Sequence, residues 1–400
     1  MFERLERMPD DPILGLMARF RADTDPRKVD LGVGVYRDER GNTPVLEAVK
    51  HAEQAVLARQ QSKTYVAPVG NAAFNQAMER LVFGDTHPAL QAGRIRTIQA
   101  PGGCGALRLG AELIRLAMPE ATIHVSTPTW QNHVPLLTGS GIKLERYPYY
   151  DAATGGVNFS AMMEGLERLP ARAVVLLHAS CHNPTGADLS EVEWREVLAL
   201  VTRRGLIPYI DMAYQGLGTG LAEDAFGVRL FAAELPELIV AVSCSKNFGL
   251  YRERTGALHI VNQTPAAADA ALSQLVRIAR TIYSMPPDHG AAIVQEILTN
   301  DGLRGSWLDE LGSMRSRIAG LRRDLLAALR RSCPHRDFSF IERQRGMFSY
   351  LGVTTEEVRT LREQHHIYII DDSRMNVAGL RAENIGYFAD SVAHVLSGAK

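Results

Sequence analysis

A lysine set beside serines at the end of an apolar run is the feature of this sequence best suited to chemistry. Ser243, Ser245 and Lys246 follow the strand-length run 238–242, which would carry the amine to a strand end inside the protein. Burial disfavours the ammonium form, and a neutral amine is a nucleophile toward an aldehyde. The flanking hydroxyls suit a phosphate, and Arg254, eight residues beyond Lys246, offers the same group a fixed cation. By itself, a lysine after a strand is equally an ordinary solvated side chain.

Other groups complement that reading. The run Pro101-Gly102-Gly103-Cys104-Gly105-Ala106 joins a strand expected at 95–100 to a helix expected from Ala106 to about Met118. Glycines let backbone N–H groups approach a phosphate, and the helix N-terminus adds the positive end of its dipole. The same glycines would also serve a plain strand-to-helix turn. Asp211 closes another apolar run, three residues before Tyr214. An acid there can keep a ring nitrogen protonated, as an electron-sink cofactor requires, or can simply cap the next helix. In His182-Asn183-Pro184-Thr185-Gly186, a turn fixed by Pro and Gly puts an amide donor where it could meet a phenolate oxygen. Trp130 and His133 read as core residues unless they belong to this constellation, and Arg280 as one of several solvated helix arginines.

These residues need a scaffold that gathers strand ends. Apolar runs at 173–177, 207–210, 238–242 and 257–261 alternate with helical stretches, the rhythm of βαβ units and a parallel sheet. Ser190 and Glu193 form a capping box for a helix running toward Arg204. Functional loops then crowd the carboxyl edge of the sheet. From 303 to 331 the pattern becomes one long Arg-rich helix, followed by expected short strands at 338–341 and 347–351. The N-terminal stretch, with Pro9, Pro12, Pro26 and an expected strand at 29–35, lacks the βαβ rhythm and suits packing with the C-terminal part.

Composition excludes several classes. Four hundred residues suit two domains, and 46% hydrophobic with 22% charged residues argues against a disordered or membrane protein. Lys plus Arg (44) nearly cancels Asp plus Glu (45), so no global field draws the chain to nucleic acid or an anionic membrane. The apolar runs fall far short of the roughly 20 residues that cross a bilayer. Met1 to Arg7 mixes charges where a secretory leader has an apolar run, and the four cysteines include no C-x-x-C pair. A reduced, cytoplasmic protein is expected, without a metal site.

Taken together the motifs resemble the aspartate and aromatic amino-acid aminotransferases of class I. The likeness rests on S-C-S-K-N-F-G-L-Y followed by E-R-T-G, with C-H-N-P-T-G, D-M-A-Y-Q-G, P-G-G-C-G-A-L-R and R-M-N-V-A-G, and runs from about Pro9 to the C-terminus. It implies an α/β fold of type I among the pyridoxal-phosphate-dependent transferases. A mostly parallel sheet would lie in a large domain (45–305), with a smaller α/β domain formed by both chain ends (1–44 and 306–400). It also implies pyridoxal 5'-phosphate and a homodimer. By the resemblance Lys246 holds the cofactor as a Schiff base and moves the substrate proton, and Asp211 keeps the ring nitrogen protonated. Asn183 and Tyr214 donate to the ring oxygen, and Trp130 stacks on the ring. Gly103, Cys104, Ser243, Ser245 and Arg254 match phosphate contacts, and Tyr65 matches a tyrosine reaching the neighbouring subunit's phosphate. Arg374 matches the partner of the substrate α-carboxylate, and Arg280 the arginine that crosses the dimer to a side-chain carboxylate. Gly34 and Asn183 line the substrate site, with His133 behind it.

The resemblance implies ping-pong transamination between aspartate or an aromatic amino acid (phenylalanine, tyrosine, tryptophan) and 2-oxoglutarate. Ile282 and Met285, where aspartate-specific relatives carry asparagines, favour aromatic side chains, whereas Val35, Arg37 and Thr43 follow the aspartate type. Cys104 replaces the usual hydroxyl in the phosphate loop. The same cofactor could also serve a β-lyase or decarboxylase, since the reaction depends on which bond stands perpendicular to the ring. A non-catalytic DNA-binding regulator is disfavoured by the absence of basic excess.

Overall fold

The computed structural model describes residues 1–7 and 12–398, so Pro9 lies outside the described residues. Within them the apolar runs become one sheet. Its strands are β1 (Ile95–Pro101), β2 (Thr122–Thr127), β3 (Lys143–Pro148), β4 (Val174–His178), β5 (Ile207–Met212), β6 (Leu238–Ser243) and β7 (Thr255–Val261), in the spatial order β1-β7-β6-β5-β4-β2-β3. Pairing is parallel from β6 through to β3, and β7 runs antiparallel between β1 and β6. Every residue of β5 and β7 is buried, as strands covered on both faces require.

The antiparallel strand has a direct consequence for the site. Thr255 pairs with Pro101 and Gly256 with Ser243, so the start of β7 lies beside the ends of β1 and β6. Arg254, one residue before β7, is thereby delivered to the same edge as Lys246.

Contacts divide the chain into two units, Thr43–Ser316 with Gln344–Gly346, and Met1–Asn42 with Arg317–Arg343 and Met347–Lys400. The division falls inside one helix, α4 (Asp301–Ser332), which passes the expected 305/306 boundary unbroken. In the larger unit, α1 (Gly102–Ala117) packs on the sheet through Leu107 and Ile114 against Val125, Tyr209 and Leu258. The Tyr209 hydroxyl donates to the Leu107 carbonyl at 2.7 Å, and a Cβ at Gly110 would come within 2.3 Å of that hydroxyl, so only glycine allows the approach. Helix α2 (Glu191–Arg204) starts with the Ser190/Glu193 capping box and ends at Gly205, which is left-handed.

The smaller unit has its own core, including Leu325, Leu329, Phe338, Leu351, Ile367, Met375 and Phe388. Arg322 is buried within it and donates to the carbonyls of Ile341 and Phe348 and to Ser349 Oγ. This ties α4 to the strand Phe348–Tyr350, which pairs antiparallel with Arg374–Asn376.

Three expected elements differ. Residues 338–341 are not a strand: Asp337 accepts the Ser339 N–H at 2.7 Å and starts the short helix Phe340–Arg343. The strand expected at 29–35 is only Val29–Asp30, paired parallel with Ile367–Tyr368. Beyond it the Asp30 side chain accepts the Gly32 N–H at 3.0 Å and Val35 N–H bonds back to the Val33 carbonyl, which turns the chain out of the ladder. Helix α1 begins at Gly102 rather than Ala106, so the glycine run is its first turn.

Candidate active site

The ends of β1, β2, β4, β5 and β6 each contribute a side chain or backbone group to one edge of the sheet. Asp211, 8% exposed, accepts from His133 Nε2 at 3.0 Å. Burial pushes its carboxyl up, but the His133 hydrogen bond, with electrostatic support from His133, His178 and Lys246, outweighs burial and holds it below the ordinary value. Asp211 is therefore an anion at neutral pH and a fixed acceptor. His133 stands edge-on to Trp130, with ring centroids 5.2 Å apart, and passes the network on through Thr129, whose Oγ1 lies 2.8 Å from His133 Nδ1 and 3.3 Å from His178 Nε2. Burial pushes His178 down to about 3 and His182 well below its ordinary value, so both act as neutral hydrogen-bonding rings.

Lys246 comes three residues after β6, and its Nζ lies 4.7 Å from the centre of the Tyr214 ring. Burial pushes its amine down, with Arg254 adding repulsion, against the opposing pull of Asp211 and Cys104. The Tyr214 hydroxyl is 3.5 Å from Asn183 Nδ2, and both residues are buried. A buried amine, a carboxylate and two donors thus lie along one edge of the sheet.

Beside them is a cradle suited to an anion. Helix α1 starts without a side-chain cap, leaving its first N–H groups available at the sheet edge. The Arg254 guanidinium covers that helix end, since a Cβ on Gly102 would meet it at 2.4 Å, and a Cβ on Gly103 would meet Ser243 at 3.2 Å. Ser243 Oγ and Ser245 Oγ are 3.1 Å apart. Arg254 holds a left-handed φ of 52° and donates to the Tyr251 carbonyl at 3.0 Å, a strained backbone that aims the side chain. Cys104 is half-buried in the first turn of α1, with Asn132 Nδ2 3.7 Å from its sulfur. All four cysteines are free thiols.

In the smaller unit Arg374 is 3% exposed. One guanidinium nitrogen donates to the Gly32 carbonyl at 2.9 Å, and the group lies 4.8 Å over the Phe348 ring. Asn376 Nδ2 donates to the Val33 and Val35 carbonyls, which fixes the turn around Gly34; a Cβ on Gly34 would strike Phe348 at 2.7 Å.

Two expected site residues are exposed in the single chain. Tyr65 is 87% exposed in the loop after Glu47–Arg59. Arg280 is exposed near the end of α3 (Pro265–Ile282), donating to Ser284 Oγ. Sequence reasoning missed Thr129, His178 and Phe348. His178 ends a strand four residues before His182, a placement that could have flagged it, whereas nothing in its neighbours marks Phe348.

Comparison with known proteins fits this geometry. Residues 26–392 match the family model described as "Aminotransferase class I and II". The chain is 45% identical to an aspartate aminotransferase of Pseudomonas aeruginosa, over 99% of this chain and 100% of the relative. It is 47% identical to an aromatic-amino-acid aminotransferase of the same organism, over 98% of each. Among solved structures, the aromatic-amino-acid aminotransferase from Burkholderia pseudomallei, covalently bound to pyridoxal phosphate, superimposes with a TM-score of 0.97 at 46% identity, covering 99% of both chains. The architecture is accordingly that of fold type I, with a mostly parallel central sheet. With the family match spanning most of the sequence and these relatives aligned nearly end to end, the chain belongs to the class I and II aminotransferase family.

Proposed function

We propose that this protein is a pyridoxal-phosphate-dependent aminotransferase that exchanges amino groups between L-aspartate or aromatic L-amino acids and 2-oxoglutarate by a ping-pong route. The observation that carries the reading is Lys246, an amine pushed down by burial and held over Tyr214 at the edge that also bears Asp211 and Asn183. The relatives' names and the bound cofactor of the Burkholderia pseudomallei enzyme support it.

The residues present fit pyridoxal 5'-phosphate. The uncapped start of α1, Ser243, Ser245 and Arg254 form a donor set for its phosphate, and Gly102 leaves the space that the arginine fills. When bound, the cofactor supplies an aldehyde for amines and a protonated ring that accepts the electrons of the substrate α-carbon. Gly103 and Cys104 offer backbone N–H groups to the phosphate, because a thiol is a weak donor. Asp211 keeps the proton on the ring nitrogen, and its own ionised state is secured by His133. Asn183 and Tyr214 donate to the ring oxygen, and Trp130 stacks on the ring. Lys246 would hold the cofactor through its aldehyde carbon and, once free, would carry the proton between the substrate α-carbon and that same cofactor carbon. Arg374 pairs with the α-carboxylate beside Gly34.

The active form we propose is a cytoplasmic homodimer in which Tyr65 and Arg280 serve the neighbouring subunit's site. Their exposure in the single chain supports this assignment. Stopped-flow half-reactions of the purified holoenzyme with aspartate, glutamate, phenylalanine and tyrosine test the whole reading. Cofactor colour that bleaches with both acidic and aromatic substrates is expected, and no bleaching with either would defeat it.

Arg280→Ala separates the two substrate classes. A lost bidentate ion pair amounts to about 3–6 kcal/mol, so kcat/KM for aspartate should fall on the order of 10²–10⁴-fold. Phenylalanine, lacking that carboxylate, should change little; equal losses remove Arg280 from the side-chain pocket. A mixing experiment tests the dimer. Lys246→Ala and Arg280→Ala chains refolded together should give about half mixed dimers by random pairing, each with one sound site, hence roughly a quarter of parental aspartate activity. Activity at the mean of the two separate variants, with hybrids confirmed, would place both residues in one subunit's site.

A further inference from the structure

The loop between β4 and α2 carries Asn183 on a backbone that does not relax into an ordinary turn. Cys181 takes a left-handed φ of 52°, a conformation L side chains rarely adopt. That conformation turns the successive N–H groups of Cys181 and His182 toward one side, making a small concave anion site out of backbone. Asp188 fills it. Its Oδ2 accepts the Cys181 N–H at 2.7 Å and its Oδ1 the His182 N–H at 2.8 Å, one carboxylate oxygen for each donor. Both are short, charge-assisted bonds.

The Cys181 side chain is itself closely packed. A Cβ on Gly346 would lie 2.4 Å from the Cys181 Cβ, and a Cβ on Gly218 would lie 3.1 Å from its sulfur. Beyond Asn183 the Gly186 N–H returns to the His182 carbonyl at 2.7 Å, and the Arg345 N–H donates to the Gly186 carbonyl at 2.8 Å. The backbone on either side of Asn183 is therefore pinned, and Asp188 supplies the charged pins on its N-terminal side. We propose that Asp188 is a positioning residue that aims the Asn183 amide at the cofactor's ring oxygen by holding the Cys181 and His182 peptides. The inference rests on the reading of Asn183 as a donor to that oxygen.

A donor at the ring oxygen favours the charged form of that oxygen, so losing the donor raises the pH midpoint of the bound cofactor's colour change. This signature separates aiming from mere loop stability, which moves the melting temperature alone. The test titrates the absorbance of the holoenzyme in the parent, Asn183→Ala, Asp188→Ala, Asp188→Asn and the double variant Asp188→Ala/Asn183→Ala. Asn183→Ala should raise the midpoint by about half to one pH unit. Asp188→Ala should raise it by part of that amount, and Asp188→Asn by less, since one side-chain oxygen still accepts. In the double variant the midpoint should equal that of Asn183→Ala alone, because Asp188 acts through that amide. An unmoved midpoint in Asp188→Ala, or a shift that adds in full to that of Asn183→Ala, overturns the inference while the reading of Asn183 stands. An unmoved midpoint in Asn183→Ala removes that reading and the inference with it. Should Asp188→Ala fail to fold, Asp188→Asn and its double with Asn183→Ala decide the question in the same way.

Discussion

Replacing Lys246 with alanine is expected to lower transamination by on the order of 10⁴-fold or more, the upper end of what one positioned acid–base group contributes. The loss is this large because the proposed function gives one side chain both the anchoring of the cofactor and the movement of the substrate proton. The cup should survive: in the proposed reading the phosphate is held by Ser243, Ser245, Arg254 and the start of α1, which are arranged independently of the amine, so the variant should still bind the cofactor, with an altered absorption spectrum. Stability offers a second check on the cofactor-free protein. Burial depresses the Lys246 amine below its ordinary 10.5, so the folded state binds fewer protons than the unfolded one and the parent gains stability as pH rises toward 10.5. The alanine variant lacks that gain. Its melting temperature should exceed the parent's most near neutral pH, and the two should converge as the solution becomes alkaline. Near-parental turnover in Lys246→Ala would overturn the assignment of this residue.

What the sequence discloses about this site follows from where the information is local. The ends of β4, β5 and β6 were legible because runs such as 207–210 and 238–242 are too short and too apolar for anything but buried strands, and because Ser190 and Glu193 cap the intervening helix in the chain itself. Lys246 and Asp211 could be placed at one edge for that reason. The position of Arg254 depends on β7 running antiparallel, which the pairings of Thr255 with Pro101 and Gly256 with Ser243 reveal. Two local readings failed where a side chain competed with the ladder. Asp337 turns the alternating run at 338–341 into a helix start, and Asp30 ends the strand that begins at Val29.

Arg322 illustrates a harder limit. In an Arg-rich helix its sequence neighbours make it one more solvated cation, yet it is 3% exposed and donates to two carbonyls and a hydroxyl. Its importance comes from partners at Ile341, Phe348 and Ser349, residues that no helical periodicity connects to it. The Asp211–His133–Thr129–His178 network is hidden in the same way, since it draws on three separate strand ends. The resemblance names Asp211 and His133; Thr129 and His178, which extend their network, are joined to it only by the folded chain.

The second large effect is expected at Arg374. Arg374→Ala should reduce kcat/KM for aspartate, glutamate, phenylalanine and tyrosine alike, because every amino acid presents an α-carboxylate. Two charge-assisted hydrogen bonds together represent about 3–6 kcal/mol, so the loss should be on the order of 10²–10⁴-fold for each substrate. The geometry of the smaller unit makes the guanidinium hard to replace. It is buried, oriented by the Gly32 carbonyl and laid over Phe348, so its position is set before any substrate arrives. Arg374→Lys keeps the charge but neither the fork nor the stacking, and should recover only part of the activity. Removing a buried side chain can also loosen its surroundings, so melting temperatures and cofactor binding are measured in parallel. A loss shared by all four substrates, in protein that melts near the parental temperature and holds the cofactor, assigns Arg374 to the α-carboxylate. A loss confined to aspartate and glutamate would transfer it to the side-chain pocket and leave the α-carboxylate without its proposed partner.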